Sequence, residues 1–307
     1  RDNLRFFAGL DNLVAVVGQK TVVTGAERDL ARQLALPCLL LWSGDDFPTE
    51  NGAPPDYFFR VGVRDRWTVP FLVDAALARG RRPALVLENS DWGEGIGALA
   101  RHHLGALGSA AAGVFWLENG SGVPDRLVDG IVGSGADVVL LADSPAESLL
   151  FLSAMSQKVP NLPVVSHRGV LGGRLTPAQM RLLGKMELVF PQTLFFAVPG
   201  VEQAGLNLLG KYRTALRLEL DEGMPQGSGL AYAYDLVQML AKAVRQAGSS
   251  ERPAVRAALE GLQYHDGVVK RYTHPFDAQR RDALQKQDDR LARMTTEGRV
   301  VPAAVRR

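Results

Sequence analysis

The chain holds one cysteine in 307 residues, Cys38. No intrachain disulfide is therefore available, and a lone thiol says nothing about the redox compartment. Cys38 stands in the apolar run Pro37-Cys-Leu-Leu-Leu-Trp42, where it reads as a small buried hydrophobe. Charge of one sign is missing too: 35 Lys plus Arg face 33 Asp plus Glu, for a formal net charge of +2. Such a balance builds no broad field to hold a nucleic acid or an anionic membrane. No apolar run approaches the roughly 20 residues that a membrane-spanning helix requires, so direct membrane insertion is not expected. The opening Arg1-Asp-Asn-Leu4 does not follow the charged, apolar, small-residue order of a secretory leader. The expectation is a mature, processed or truncated chain.

Catalytic signatures are absent as well. Neither G-x-S-x-G nor G-x-x-x-x-G-K-[ST] occurs, which removes the nucleophile elbow and the phosphate-cradling loop. Gly93, Gly95 and Gly97 follow one another without the G-x-G-x-x-G spacing of a dinucleotide loop. The carboxylates Asp65, Asp91, Asp143 and Glu147 lie near expected strand ends, yet nothing in the sequence links them as acid and base. The 5 histidines, His102, His103 and His167 among them, have no metal-ligand spacing. No enzyme, no metal and no cofactor is the resulting expectation.

What is present is a large apolar fraction, 46%, in a chain long enough to form two compact units. Short apolar runs recur: Leu13-Val-Ala-Val-Val17, Cys38-Leu-Leu-Leu41, Ala84-Leu-Val-Leu87, Val138-Val-Leu-Leu141, Leu162-Pro-Val-Val165 and Leu188-Val-Phe190. Runs without polar alternation fit strands covered on both faces, and amphipathic stretches between them make the sheet parallel. Helices are predicted over residues 4–10, 71–79, 124–133, 229–247 and 251–262, the last with Pro253 in its first turn. The fold class is α/β.

Ligands of open parallel sheets bind beyond the carboxyl ends of the strands, and several residues fall there. Trp92, in Glu88-Asn-Ser-Asp-Trp-Gly-Glu-Gly95, follows a strand and opens a helix; its ring is a flat apolar platform with one donor, or else surface packing beside a helix start. Thr21 and Ser43-Gly44 follow the first two strands, where hydroxyl and amide donors can meet a carboxylate or serve as simple helix caps. Arg168, in Ser166-His-Arg-Gly169, is positioned either to grip a carboxylate in two-pronged fashion or to sit in solvent.

The order of Leu13-Val-Ala-Val-Val-Gly18, Leu36-Pro-Cys-Leu-Leu-Leu-Trp-Ser-Gly44, Tyr57-Phe-Phe-Arg60, Ala84-Leu-Val-Leu-Glu-Asn-Ser-Asp-Trp-Gly93 and Gly135-Ala-Asp-Val-Val-Leu141 resembles the type I periplasmic binding proteins of branched-chain amino-acid (Leu/Ile/Val) ABC transporters. Gly229-Leu-Ala-Tyr-Ala-Tyr-Asp235 resembles the helix those proteins carry near their end. The resemblance implies two doubly wound parallel-sheet lobes joined by three crossing segments, near residues 61–64, 190–193 and 271–274. Lobe I would take residues 1–62 and 193–271, lobe II residues 63–192 and 272–307. It further implies a small-molecule solute clamped by Thr21, Ser43 and Gly44 on one side and Trp92, Ser144 and Arg168 on the other. A membrane permease would be the partner, the protein acting as a monomer, periplasmic or lipid-anchored outside the cytoplasm. A ligand-sensing receptor or regulator of the same fold is the alternative.

Two departures from the family pattern bear on this. Relatives that bind amino acids offer an acidic group to the solute ammonium at about the position of Arg168, so the charge here is reversed. A buried guanidinium facing an ammonium is unfavourable, and a solute without an α-ammonium at that end, a carboxylic acid, is expected. Relatives also carry further strands and a helix of the first lobe before the point matching Arg1; either the chain is incomplete there, which is the expectation, or the protein has lost part of its clamp.

Overall fold

In the computed structural model, residues 1–18, 23–44, 55–120, 122, 125–171, 176–191, 203–216 and 227–262 are described. The chain opens with helix α1 (Asp2–Ala8), then strand β1 (Val16–Gly18), α2 (Gly25–Gln33), β2 (Cys38–Leu40) and β3 (Phe58–Arg60). The three strands pair in parallel in sequence order, Val16 beside Cys38 and Cys38 beside Phe58. α2 starts where Thr24 accepts the Glu27 amide and Glu27 reaches back to the Thr24 amide, a reciprocal cap that fixes where β1 hands over to the helix.

The second sheet follows α3 (Asp65–Leu77), in the order β4 (Pro83–Glu88), α4 (Asp91–Ala106), β5 (Gly113–Leu117), α5 (Asp125–Gly133), β6 (Val138–Ala142), α6 (Pro145–Lys158), β7 (Val164–Ser166), α7 (Pro177–Leu183) and β8 (Leu188–Val189). Its five parallel strands lie in the order β5-β4-β6-β7-β8. Alternate residues of its central strands serve opposite faces. Leu85, Leu87, Leu140 and Val165 join the core under α3 and α4, whereas Val86, Val139, Leu141 and Val164 join the core under α5 and α6. Burial on both faces is why these runs need no polar alternation. The chain leaves β4 for one neighbour, β5, and then returns to the other side for β6. The strand order therefore reverses between β4 and β6, and a crevice opens at the carboxyl ends of such a pair.

Beyond α8 (Gln203–Leu216), the long α9 (Gly227–Ala247) and α10 (Arg252–Glu260) return to the first sheet. Tyr232, Leu236, Met239 and Ala243 of α9 pack with Leu39, Phe59 and Val61, and Val255 and Leu259 of α10 close the same core. Arg252 ties α10 to the chain start: its Nε donates to the Leu13 carbonyl at 2.8 Å and its Nη2 to those of Ala8 at 3.0 Å and Leu10 at 3.1 Å. Carbonyls left over at the end of α1 thus find a cationic donor.

The six predicted strands all occur, displaced by a few residues. β3 and β5 are strands beyond the six expected, β3 of three residues and β5 half-buried at a sheet edge. α3 begins six residues before the predicted 71–79 stretch and runs through Pro70. Proline in the second turn removes one backbone bond, and the helix keeps the rest by burying Val69, Leu72, Val73 and Ala76. Cys38 is buried as expected; burial, with the charges of Asp56 and Glu27, pushes its thiol up to about 12.

Candidate functional site: a corner built around Asp65

Three carboxyl strand ends and one helix start meet at a single buried side chain. The chain leaves β3 through residues 61–64 and enters α3 at Asp65, whose amide donates to the Gly44 carbonyl at 2.8 Å. This bond joins the end of the first sheet to the start of the helix that supports the second. Asp65 is 4% exposed. Its Oδ2 accepts the Trp92 indole N–H at 2.9 Å, and its Oδ1 lies 3.2 Å from His167 Nε2. Burial alone would raise the Asp65 pKa. The His167 hydrogen bond, the charges of His167 and Arg168 and the indole bond outweigh it and hold the group below the ordinary carboxylate value.

His167 goes the other way: its burial, aided by the neighbouring Arg168 charge, lowers its pKa despite Asp65. An ionised carboxylate can only accept, so Nε2 carries the proton and Nδ1 is the acceptor, which the Gly169 amide meets at 3.4 Å. The His167 and Trp92 rings stand edge to face, centroids 5.1 Å apart.

Local sequence explains each placement. Trp92 is the second residue of α4, capped by Ser90, which accepts the Gly93 amide at 3.3 Å. A Cβ on Gly93 would collide with the Glu88 carbonyl, so glycine lets the helix start hard against β4 and aims Trp92 back over the strand end. Gly44 is needed for a similar reason, because a Cβ there would collide with both Asp65 carboxylate oxygens. Arg168 opens a short 3-10 turn (Arg168–Leu171) just past β7. Its Nη1 donates to the Val63 carbonyl at 3.1 Å, so a guanidinium from the second sheet holds the segment leaving the first.

Of the residues singled out from sequence, Gly44, Trp92 and Arg168 surround the Asp65 carboxylate. Ser43 adjoins them through its backbone: it is fully buried, and its carbonyl accepts Arg60 Nη1 at 3.5 Å. Ser144 stands one strand away, at the N-cap of α6, where its side chain makes no cap bond. Thr21 lies outside the described residues, as do residues 192–193 and 271–274 of the expected crossings. Asp65 and His167 were visible in the sequence only as an unlinked carboxylate and a histidine without metal-ligand spacing. Their partners lie 27 and 102 residues apart in the chain, a distance no local pattern spans.

At the switch between β4 and β6 a second acidic group appears. Asp143, 3% exposed, has one oxygen on the Ser144 amide and none of the described groups on the other. Burial, with the charges of Glu88 and Glu147, raises its pKa to about 7 against the Ser144 bond. Glu147 holds the Gly120 amide at 2.9 Å through Oε1. Among the described residues no group of three or more His, Cys, Asp or Glu is arranged to hold a metal ion. No described helix is long and apolar enough to cross a membrane.

Comparison with known proteins agrees with this architecture. A leucine binding protein LivK of Thermotoga maritima superposes with TM-score 0.69 at 15% identity, over 88% of this chain and 75% of that one. LivJ of Streptococcus pneumoniae, a branched-chain amino acid transporter substrate binding protein in complex with isoleucine, gives 0.72 at 17% identity over 90% and 76%. A solute binding protein of an R. palustris ABC transporter, in complex with benzoate, gives 0.72 at 13% identity over 88% and 72%. A comparison with curated protein sequences gave no match. The family model described as periplasmic binding protein matches residues 9–298, and its members bind solutes and are not enzymes. The chain belongs to the periplasmic binding protein family and has the type I α/β fold of its branched-chain amino-acid binding members.

Proposed function

We propose that the protein is the extracytoplasmic solute-binding component of an ABC importer, clamping a small carboxylic acid or amino-acid-like solute and presenting it to a membrane permease. The two lobes are residues 1–62 with 193–271 and residues 63–192 with 272–307, and the protein works as a monomer. It is periplasmic or held outside the cytoplasm by a lipid. A solute that touches both sheet edges binds the closed arrangement better than the open one and shifts the population towards it by that difference in affinity.

The observation that carries this reading is the convergence of Gly44 from the first sheet with Trp92 and Arg168 from the second. Trp92 and Arg168, with His167, already hold one carboxylate, that of Asp65, below the ordinary carboxylate value. A corner with an arginine, strand-end amides and an aromatic face suits a second carboxylate whose body lies on the ring. Leucine, isoleucine and benzoate, the solutes named for similar structures, share a carboxylate and little else. The test is calorimetric titration of the full chain with leucine, isoleucine, benzoate and the neutral analogue benzamide. At least one acid should bind, and removing the carboxylate charge should cost tenfold or more, about 1.4 kcal/mol. Binding of benzamide as tight as that of benzoate, or no binding of any acid, would contradict the proposal.

A further inference from the structure

The polar atoms of the aromatic wall are all matched internally. Tryptophan has one polar group, its indole N–H, and in Trp92 that group donates to Asp65 Oδ2 at 2.9 Å. His167, packed edge to face with the indole, has its Nε2 on Asp65 and its Nδ1 opposite the Gly169 amide. Asp65 cannot turn to release them easily, because Gly44 closes on its carboxylate from the other side and its own amide is fixed to the Gly44 carbonyl.

We propose that Asp65 is a specificity-determining residue: by engaging Trp92 and His167 it leaves this wall only apolar surface to offer, so that it selects acids with a flat or branched apolar body over hydroxylated acids of the same size. The inference rests on the reading of this corner as the solute site. A hydroxyl set against such a wall loses its water and gains no partner, which disfavours the hydroxylated acid by up to about a hundredfold. Asp65 does not itself contact the solute; it acts through the two rings as a positioning residue.

Two measurements test it. Cyclohexanecarboxylate and quinate have the same ring and carboxylate and differ in hydroxyl groups. The full chain should bind the former about 30-fold or more tighter. Asp65→Asn, which keeps an acceptor for the indole, should retain that preference, and Asp65→Ala, which frees the indole N–H, should narrow it to about fivefold or less. The second readout is taken on the unaltered protein. Among the 4 tryptophan indole N–H resonances, that of Trp92, assigned with Trp92→Phe, should be shifted downfield and slow to exchange, and should stay so when cyclohexanecarboxylate saturates the site. A preference for quinate, an unchanged preference in folded Asp65→Ala, or a Trp92 resonance that moves to the exchange behaviour of a free indole overturns the inference and leaves the proposed function standing. Failure of every carboxylic acid to bind overturns both.

Discussion

Gly44→Ala isolates the contact on which the corner depends. The backbone at Gly44 is not in the left-handed region, so alanine is conformationally acceptable. By itself the change would stabilise by about 0.4–1 kcal/mol through the unfolded chain. The added methyl meets the Asp65 carboxylate, whose only escape is to swing away from Trp92 and His167. Two hydrogen bonds to a charged acceptor, at about 1.5–3 kcal/mol each, set the loss at roughly 3–5 kcal/mol once some backbone shift is allowed. Asp65→Ala removes the obstacle, and Gly44→Ala made in that background should be neutral or slightly stabilising. Urea unfolding of the four proteins at neutral pH gives the coupling directly, expected at about 3–6 kcal/mol. Equal effects of Gly44→Ala in both backgrounds would refute the reasoning, because the carboxylate would then not be what glycine accommodates.

The remaining expectations follow from groups outside that contact. Asp143 has a folded-state pKa of about 7 against 3.8 ordinarily, so the folded chain holds the extra proton. Stability is then greatest below about pH 4 as far as this group is concerned and is lost as pH rises through about 7. Asp143→Asn should flatten that slope and stabilise by about 2–4 kcal/mol at pH 8, read from unfolding at pH 5 and 8. Asp65 has the opposite sign: its lowered pKa adds stability above its unfolded value that is lost as pH falls through the folded one. Arg252→Ala removes three donor contacts to the carbonyls of Ala8, Leu10 and Leu13 and should cost about 1–3 kcal/mol, with faster amide exchange over residues 2–8. The Cys38 thiol, buried and pushed up to about 12, should resist iodoacetamide at pH 8 in the folded protein and react on unfolding.

Much of the fold is legible in the sequence because two-sided burial writes itself as unbroken apolar runs. The strands around Val86, Leu140 and Val165 could be read this way, and Trp92 and Arg168 fell at strand ends for the same reason. β5 was not among the expected strands although Val114-Phe-Trp-Leu117 is an unbroken apolar run; at the sheet edge it is only half-buried. The candidate site was half legible. Residue types at strand ends pointed to Gly44, Trp92 and Arg168, but Asp65 stood only as one of four carboxylates near strand ends with nothing to link it to a partner. Only the fold brings Trp92 and His167 onto it, and that same carboxylate supplies the buried counter-charge near Arg168 that the sequence left unaccounted for.

A crystal of the full chain grown with the tightest-binding acid tests the central claim most directly. The account predicts density for the acid between the two sheet edges, its carboxylate within hydrogen-bonding reach of the Ser43-Gly44 backbone or Arg168 and its apolar body against Trp92. A bound acid lying elsewhere, with Trp92 and Gly44 facing no shared solute, would contradict it.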